Sequence, residues 1–545
     1  MNNRPVRFFN TTGPCNPDDH YMLPPEERLV GAQLHRYIRD KLYWVLHAPR
    51  QTGKTTFLQS WMREINAAAE VPETDGAPSV ARPVARPVAR PVACYVSVED
   101  CQGLTDRDEA TQTIYRDICD FAKLSGLPVP TREEKDPEGL LRTTLALWAA
   151  LVAPRALVVL FDEVDVLQGE ALISFLRQLR GGFAGRGVGK FPVSIALVGM
   201  RDLKDYLVAA KGGVPVNPGS PFNIKEDSAV LSNFRKEDIA RLFAQRTGET
   251  GQQISAEALD YVYEQSRGQP WIVNSLFKRA TMRVLDETST ETVTIEHVRE
   301  AREQMIRARE THLDALAYRL EDSGVRSVME ALMTGEPKPQ LAESDAFRLC
   351  LDLGLVAIER GSPVVANPMY REALARQMTY SAQLAIPAPE WRWEREDGTL
   401  DMEALLREFQ VFWRTNSETW EGMLNYPEAF PHLLLQAFLQ RVTNGEGRIE
   451  REYAAGRGRM DLAVEYGGVW DIIEIKLLRQ GKGLETVIEE GKKQVLRYRE
   501  SFSPCSAGGK GASCYVVIFD RRVEKGSWEE RLFWITDGDV TVLGC

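Results

Sequence analysis

One stretch narrows the fold before any other: residues 42–65, where the apolar run LYWVLHA passes through PRQTGK into the amphipathic TTFLQSWMREI. A strand that turns through glycine straight into a helix gathers unpaired backbone amides and the positive end of the helix dipole at one point, which suits a phosphate group. Gly53 makes the turn, Lys54 is placed to reach terminal phosphates, Thr55 to hold magnesium, and Thr56 completes the loop. The pattern GxxxxGK[ST] has glycine where this chain has Ala48, so the expectation rests on the strand-loop-helix context. A second element supports it. ALVVLFDEVD puts Asp162 and Glu163 at the carboxyl end of an apolar strand, the first to hold the magnesium and the second to polarise a water for attack on a γ-phosphate. Arg201, in ALVGMRDL, is a candidate γ-phosphate sensor, with an ordinary surface ion pair as the plainer role. ATP and Mg²⁺ are therefore the expected cofactors, and ATP binding with hydrolysis the expected activity of this part.

With 545 residues the chain has room for three or four domains. Residues 1–230 alternate short unbroken apolar runs (42–48, 94–98, 156–161, 193–198) with helical patterns, as a parallel sheet buried on both faces requires. The expected fold class is α/β: a three-layer parallel-sheet core carrying the phosphate loop. Between its first helix and second strand, residues 71–93 contain ARPVARPVARPV, read as an extended, solvated excursion because proline at this density blocks helix and sheet interior alike. Residues 231–305 read as a helical lid, one of whose helices starts at Pro270, where the missing amide hydrogen costs nothing. Residues 306–384 read as helices leading into LCLDLGLVAIERGSPVVANPMY, two short apolar runs joined by a turn at Gly361 and Pro363, the pattern of a winged helix. Residues 385–424 are a polar, proline-containing hinge and a helix, and 425–545 form the last domain. No apolar run approaches the ~18 residues of a membrane span, and the first residues lack the apolar core of a signal peptide, so a cytoplasmic protein is expected. The eight cysteines show no CxxC spacing and no nearby histidine set, and read as reduced thiols rather than a zinc site or disulfide frame.

The segments FFNTTGPCNPDDHYMLPPEERL, HAPRQTGKTT, FDEVD, SPFNIKED and GQPWIVNSL together resemble a prokaryotic AAA-like P-loop ATPase family of the archaeal-ATPase and STAND kind, over residues 5 to 380. The resemblance implies a nucleotide switch, with Phe9 and Asn10 near the base and Gly268, Gln269 and Pro270 of the lid near the phosphates.

At the other end, RIEREYAAG, MDLAVEY and VWDIIEIKLL read as three consecutive strands with glycine-containing turns. Side chains repeat every second residue along a strand, so Glu474 and Lys476 share a face, and Asp461 starts the neighbouring hairpin strand. Two carboxylates with the backbone carbonyl of Ile475 make a hard oxygen site suited to Mg²⁺, with Mn²⁺ as a substitute, and Lys476 supplies an ammonium for developing charge. An ion pair on a sheet is the plainer alternative. Asp461 with Glu474-Ile475-Lys476 resembles the PD-(D/E)XK nuclease superfamily, over residues 425 to 545, which implies a restriction-endonuclease-like α/β domain. The resemblance also implies a catalytic glutamate on the preceding helix, for which Glu428 fits best and Glu450 or Glu452 less well. It further implies a supporting pair, Gln494 and Tyr498, on a helix whose Lys492, Lys493, Arg497 and Arg499 are candidates for a nucleic-acid backbone. A net charge of −11 excludes coating of nucleic acid by bulk attraction, so contact with DNA is expected to be local or metal-assisted. The combined expectation is an ATP-controlled, metal-dependent nuclease. DNA is favoured over RNA, an unidentified protein or ligand is sensed by the ATPase and winged-helix part, a homo-oligomer is compatible, and the layout suits defence against foreign DNA. A regulatory or scaffold ATPase whose last domain binds without cleaving is the alternative, and a translocating motor lacks any helicase motif.

Overall fold

The computed structural model describes residues 6–68, 90–131, 139–200, 225–308, 311–333, 343–385, 393–423, 430–442, 447–455, 458–502, 512–522 and 527–545. They form two compact units. The first takes in Met1–Arg309, Arg348–Ala357 and Ala366–Met369; the second takes in Glu310–Phe347, Ile358–Val365 and Tyr370–Cys545. No helix among the described residues is long and apolar enough to cross a membrane.

In the first unit the elements run β1 (Leu29–Val30), α1 (Leu34–Arg39), β2 (Tyr43–His47), α2 (Lys54–Ala68), β3 (Pro91–Ser97), α3 (Arg107–Leu124), α4 (Leu140–Leu151), β4 (Ala156–Asp162), α5 (Gly169–Phe183), β5 (Ser194–Gly199) and β6 (Lys225–Leu231). The sheet order is β1-β6-β2-β5-β4-β3, parallel throughout except for β1. Alternate side chains of one strand enter different cores: Tyr43 and Val45 of β2, Leu157, Val159 and Phe161 of β4 and Ile195 of β5 lie against α3, α4 and α5, while Trp44 and Leu46, Val158 and Leu160, and Ala196 lie against α1 and α2. Burial on both faces is why these strands are apolar without a break, each large side chain contributing roughly 2 kcal/mol. Four helices follow: α6 (Lys236–Thr250), α7 (Ala256–Ser266), α8 (Pro270–Arg279) and α9 (Ile295–Arg307).

The apolar runs did not reveal β1 or β6, because KEDSAVL is half polar and β1 is two residues long. One expectation is corrected here. The last Pro-Val of the repeat is not solvated excursion: Pro91 to Ala93 open β3, an edge strand whose first position tolerates proline. Arg90 is exposed just ahead of the strand, and the repeat up to residue 89 lies outside the described residues.

The second unit and its boundary segments continue with α10 (Thr311–Tyr318), α11 (Ser323–Met333), α12 (Asp345–Asp352), β7 (Val356–Glu359), β8 (Ser362–Val365), α13 (Pro368–Ala385), α14 (Met402–Met423) and α15 (Phe430–Val442). Leu349, Cys350 and Leu351, expected in an extended run, end the helix α12 instead. The β7–β8 turn is Arg360-Gly361, both at positive φ as a two-residue hairpin asks, and Pro363 sits within β8 rather than in the turn. The last sheet comprises β9 (Gly447–Ala455), β10 (Gly458–Tyr466), β11 (Val469–Leu478), β12 (Ser513–Asp520), β13 (Trp534–Asp537) and β14 (Val540–Gly544), in the order β13-β14-β12-β11-β10-β9. β9, β10 and β11 form an antiparallel meander, β12 lies parallel to β11 and β14 parallel to β12. Between β11 and β12 runs α16 (Leu484–Phe502), on the face that carries Ile472 and Leu478, while α14 and α15 cover the face that carries Ile473 and Ile475. That second core starts at Leu400 and includes Phe409 and Trp413 of α14, so the helix ahead of residue 425 packs with the sheet that follows it.

Candidate nucleotide and metal sites

Helix α2 starts at Lys54, directly after Gly53, whose φ of 93° only glycine adopts without strain. The methyl of Ala48 is buried in the core beside Leu46 and Val198, so alanine at this position packs rather than obstructs. Lys54 is buried with its ammonium donating to the carbonyls of Ala48 and Pro49, each at 3.0 Å, and so spans its own loop. Across from it β4 delivers Asp162. The Thr55 hydroxyl donates to Asp162 Oδ2 at 2.7 Å, the Tyr95 hydroxyl donates to the same oxygen at 3.2 Å, and the Glu163 amide donates to Asp162 Oδ1 at 3.0 Å. Glu163 itself takes a left-handed backbone, φ 57°, which turns the chain sharply off the strand. Burial pushes the Lys54 ammonium below its ordinary value, against the opposing pull of Glu163, Asp165 and Asp162, and burial pushes both Asp162 and Glu163 above the usual carboxylate range. Charges so desolvated are complementary to a ligand that brings phosphate to the lysine and a cation to the carboxylates.

The segment ahead of β1 closes over this loop. The Cys15 amide donates to Thr56 Oγ1 at 3.0 Å, which makes Thr56 an anchor for that segment. Asn10 donates to the carbonyls of Gly13 and Pro14, and Phe9 is buried among Tyr21, Phe243 and Phe277, packed into the helices after β6. From α8, Gln269 Nε2 donates to the Gln51 carbonyl at 3.4 Å while its Oε1 caps the helix at Ile272. In the same unit Gly354, at φ 72°, lies so close to Pro49 that an added Cβ would come within 2.7 Å of the proline ring. Arg201 lies outside the described residues. Sequence reasoning missed Arg28, which is buried, donates to the Thr52 carbonyl at 2.9 Å and to the Ser232 carbonyl at 3.0 Å, and has its guanidinium pulled down to about 10 by burial. A lone arginine in PPEERL offers no periodic or spacing signal for such a contact.

In the second unit the β10–β11 ladder runs from Tyr466 paired with Val469 to Leu462 paired with Ile473. Next along β10, the Asp461 carboxylate accepts the Ile475 amide at 2.8 Å. Glu474 is buried on the α16 face, with Oε1 accepting from Lys476 Nζ at 2.6 Å and Oε2 buried without a hydrogen-bond partner among the described residues. Lys476 also donates to Gln494 Oε1 at 2.8 Å, and Gln494 in turn donates to the Tyr498 hydroxyl at 2.8 Å. Burial, reinforced by the charge of Asp461 and opposed by Lys476, pushes the Glu474 carboxyl up to about 8. The orphaned Oε2 beside a second carboxylate fits a hard divalent cation, which would relieve both the missing bond and the repulsion. Among the described residues no three His, Cys, Asp or Glu side chains gather as a complete cage. Glu428 lies outside the described residues, and so do the side chains of Glu450 and Glu452. Of the cations on α16, Lys492 is held by Glu489 and Asp537 and Arg499 by Asp539.

A parallel sheet with a glycine turn after β2, Lys54-Thr55 opening the next helix, and Asp162-Glu163 at the end of β4 facing that threonine is the layout expected of a phosphate-binding loop with a metal-holding strand end. No family model matches the chain, and no curated protein matches it. Among solved structures it is similar to a Walker-type ATPase of Pyrococcus abyssi, at 13% identity over 67% of this chain and 99% of that one, with a TM-score of 0.46. It is similar also to the RuvB Holliday junction branch migration motor of Thermotoga maritima (13% identity, 62% of this chain and 90% of that one, TM-score 0.32) and to Cdc6p from Pyrobaculum aerophilum (15%, 64% and 91%, 0.32). At these identities and scores the likenesses add nothing to what the site's own geometry says.

Proposed function

We propose that this chain is an ATP-binding and ATP-hydrolysing switch that governs a metal-dependent nuclease of the PD-(D/E)XK type acting on DNA. The ATPase half is supported by the Lys54, Thr55 and Asp162 cluster. On binding, Lys54 would exchange the Ala48 and Pro49 carbonyls for phosphate oxygens, Thr55 and Asp162 would hold Mg²⁺, and Glu163 would orient a water and take its proton. Arg201, two residues past β5 in sequence, stays a candidate sensor of the γ-phosphate. The helices α10 to α12, the β7–β8 hairpin and α13 follow the element order of a winged helix, which suits docking of a sensed protein or ligand.

The nuclease half is carried by one observation: the buried, partnerless Oε2 of Glu474 next to Asp461 and Lys476. Asp461, Glu474 and the Ile475 carbonyl would hold Mg²⁺ or Mn²⁺, which when bound neutralises a scissile phosphate and acidifies water. Lys476, steered by Gln494, would stabilise charge developing on the phosphate, and Glu428, two residues ahead of α15 in sequence, stays the candidate for a further acid. A binding-only last domain is favoured by a different observation: Glu474 Oε1 is already paired with Lys476 Nζ at 2.6 Å, as in a plain ion pair on a sheet. Plasmid, linear and single-stranded DNA, and RNA, incubated with Mg²⁺ or Mn²⁺, with and without ATP, decide between the two. Wild type should cut DNA. Asp461→Ala and Lys476→Ala should lose cutting at least about a hundredfold with ATP turnover intact, and Lys54→Ala should lose ATP turnover and any effect of ATP on cutting. Undiminished cutting by Asp461→Ala sinks the site; a folded wild type that binds DNA without cutting it under any of these conditions supports the binding-only reading. Defence against foreign DNA suits this layout, and phage challenge of cells carrying wild type or Lys476→Ala tests it.

A further inference from the structure

We propose that Arg28 is a positioning residue that couples the phosphate loop to the helical lid, so that the state of the loop sets the state of the lid; this rests on the nucleotide-binding reading above. The contacts form a closed circuit that begins and ends in the loop. Arg28 Nη2 donates to the Thr52 carbonyl at 2.9 Å and Nη1 to the Ser232 carbonyl at 3.0 Å, just past β6 where the lid begins. Arg28 also accepts on its own carbonyl from the Ser232 amide at 3.0 Å and the Ser232 hydroxyl at 2.8 Å. Its guanidinium lies 4.8 Å from the centre of the Phe234 ring. Phe234 donates its amide to the Gly268 carbonyl at 2.8 Å, and a Cβ on Gly268 would stand 1.9 Å from the Phe234 carbonyl oxygen, so these two backbones touch. The next residue, Gln269, caps α8 and donates to the Gln51 carbonyl, which closes the circuit one residue from Thr52.

Two features set this circuit apart from ordinary packing. The Arg28 charge is buried on two neutral carbonyls with no carboxylate ion pair among the described residues; the Asp238 charge offsets only part of the cost of that burial, so a further anion brought close would favour it. A polyphosphate seated on the loop amides supplies that anion, so nucleotide strengthens the whole chain of contacts. Room for it exists because residue 53 is glycine: a Cβ there would meet Arg28 Nη2 at 3.0 Å. A planar guanidinium offers separate, fixed donors to the two carbonyls; a lysine ammonium keeps the charge on one nitrogen and loses that rigid fork.

The test uses the full-length chain, ATP with Mg²⁺, calorimetric affinity, steady-state turnover and amide hydrogen exchange across Lys236–Thr250 and Pro270–Arg279. In wild type, ATP should slow exchange in both helices. Arg28→Met should weaken ATP binding by no more than roughly tenfold, yet lose ATP-induced protection of the lid and more than tenfold in turnover. Arg28→Lys, the charge-preserving control for folding, should restore affinity but not lid protection. Lid protection by ATP that is the same in Arg28→Met, or in a folded Arg28→Lys, as in wild type overturns the coupling alone. Absence of ATP binding by wild type overturns the nucleotide reading, and the coupling with it.

Discussion

Asp471 and Glu474 stand three residues apart on β11 and are both buried acids, but they face different cores and answer to different demands. Glu474 keeps an orphaned oxygen beside a lysine and a second carboxylate. Asp471 lies on the side of Ile473 and Ile475, where burial pushes its carboxyl up to about 7 against the hydrogen bond from Ser513 and the charge of Arg395, with Asp401 adding to the rise. Its unfolded value is near 3.8, so the consequence for stability has a definite sign. Below pH ~4 both states carry the proton and nothing is lost. As pH rises toward 7 the unfolded chain gives up its proton first, and stability falls until the folded carboxyl has ionised as well. Asp471→Asn removes the titration, so the variant should exceed wild type by little near pH 4 and by about 4 kcal/mol at pH 8. Urea denaturation of the last unit at both pH values measures this; a gap that does not widen with pH would mean another group carries the effect.

At the scale of elements, the face of β11 that bears Glu474 and Lys476 depends on how closely α16 approaches. Gly491 allows that approach, since a Cβ there would meet Val516 Cγ1 at 2.6 Å and Lys476 Cγ at 3.5 Å. Gly491→Ala should push the helix outward, cost about 1–3 kcal/mol as overpacking does, and weaken the Lys476–Gln494 contact, so that cleavage falls while ATP turnover stays. An equal loss of both activities would count against a local effect. How much of such packing could be read in advance depended on where each element's information resides. β2, β4 and β5 were legible because burial on both faces demands unbroken apolar runs, and β10 and β11 because alternation and the Gly467-Gly468 turn are local signals. β6 was not, since its identity as a strand comes from pairing with β2 and β1 rather than from KEDSAVL itself. The same division runs through the sites: Lys54, Thr55, Asp162, Asp461, Glu474 and Lys476 sit at spacings that strand and loop geometry convert into proximity. Arg28 reaches Ser232 across 204 positions, and no local pattern encodes that.

For the molecule as a whole, the candidate chemistries fall in different compact units, each with its own buried core. Chains so divided unfold in more than one step, and a ligand stabilises only the unit that binds it. Calorimetry should therefore resolve two transitions. ATP with Mg²⁺ should raise one of them; at a hundred times its dissociation constant the gain is about 2.7 kcal/mol. Mn²⁺ without nucleotide should raise the other, because Asp461 and Glu474 repel each other until a cation lies between them. Lys54→Ala should remove the first shift and leave the second, while Asp461→Ala should do the reverse. That crossed pattern separates two sites from one, since a single shared metal site would lose both shifts to either substitution. Loss of the Mn²⁺ shift in Lys54→Ala, or its survival in Asp461→Ala, would take the metal away from the β10–β11 carboxylates and leave the proposed nucleotide site standing without the proposed nuclease.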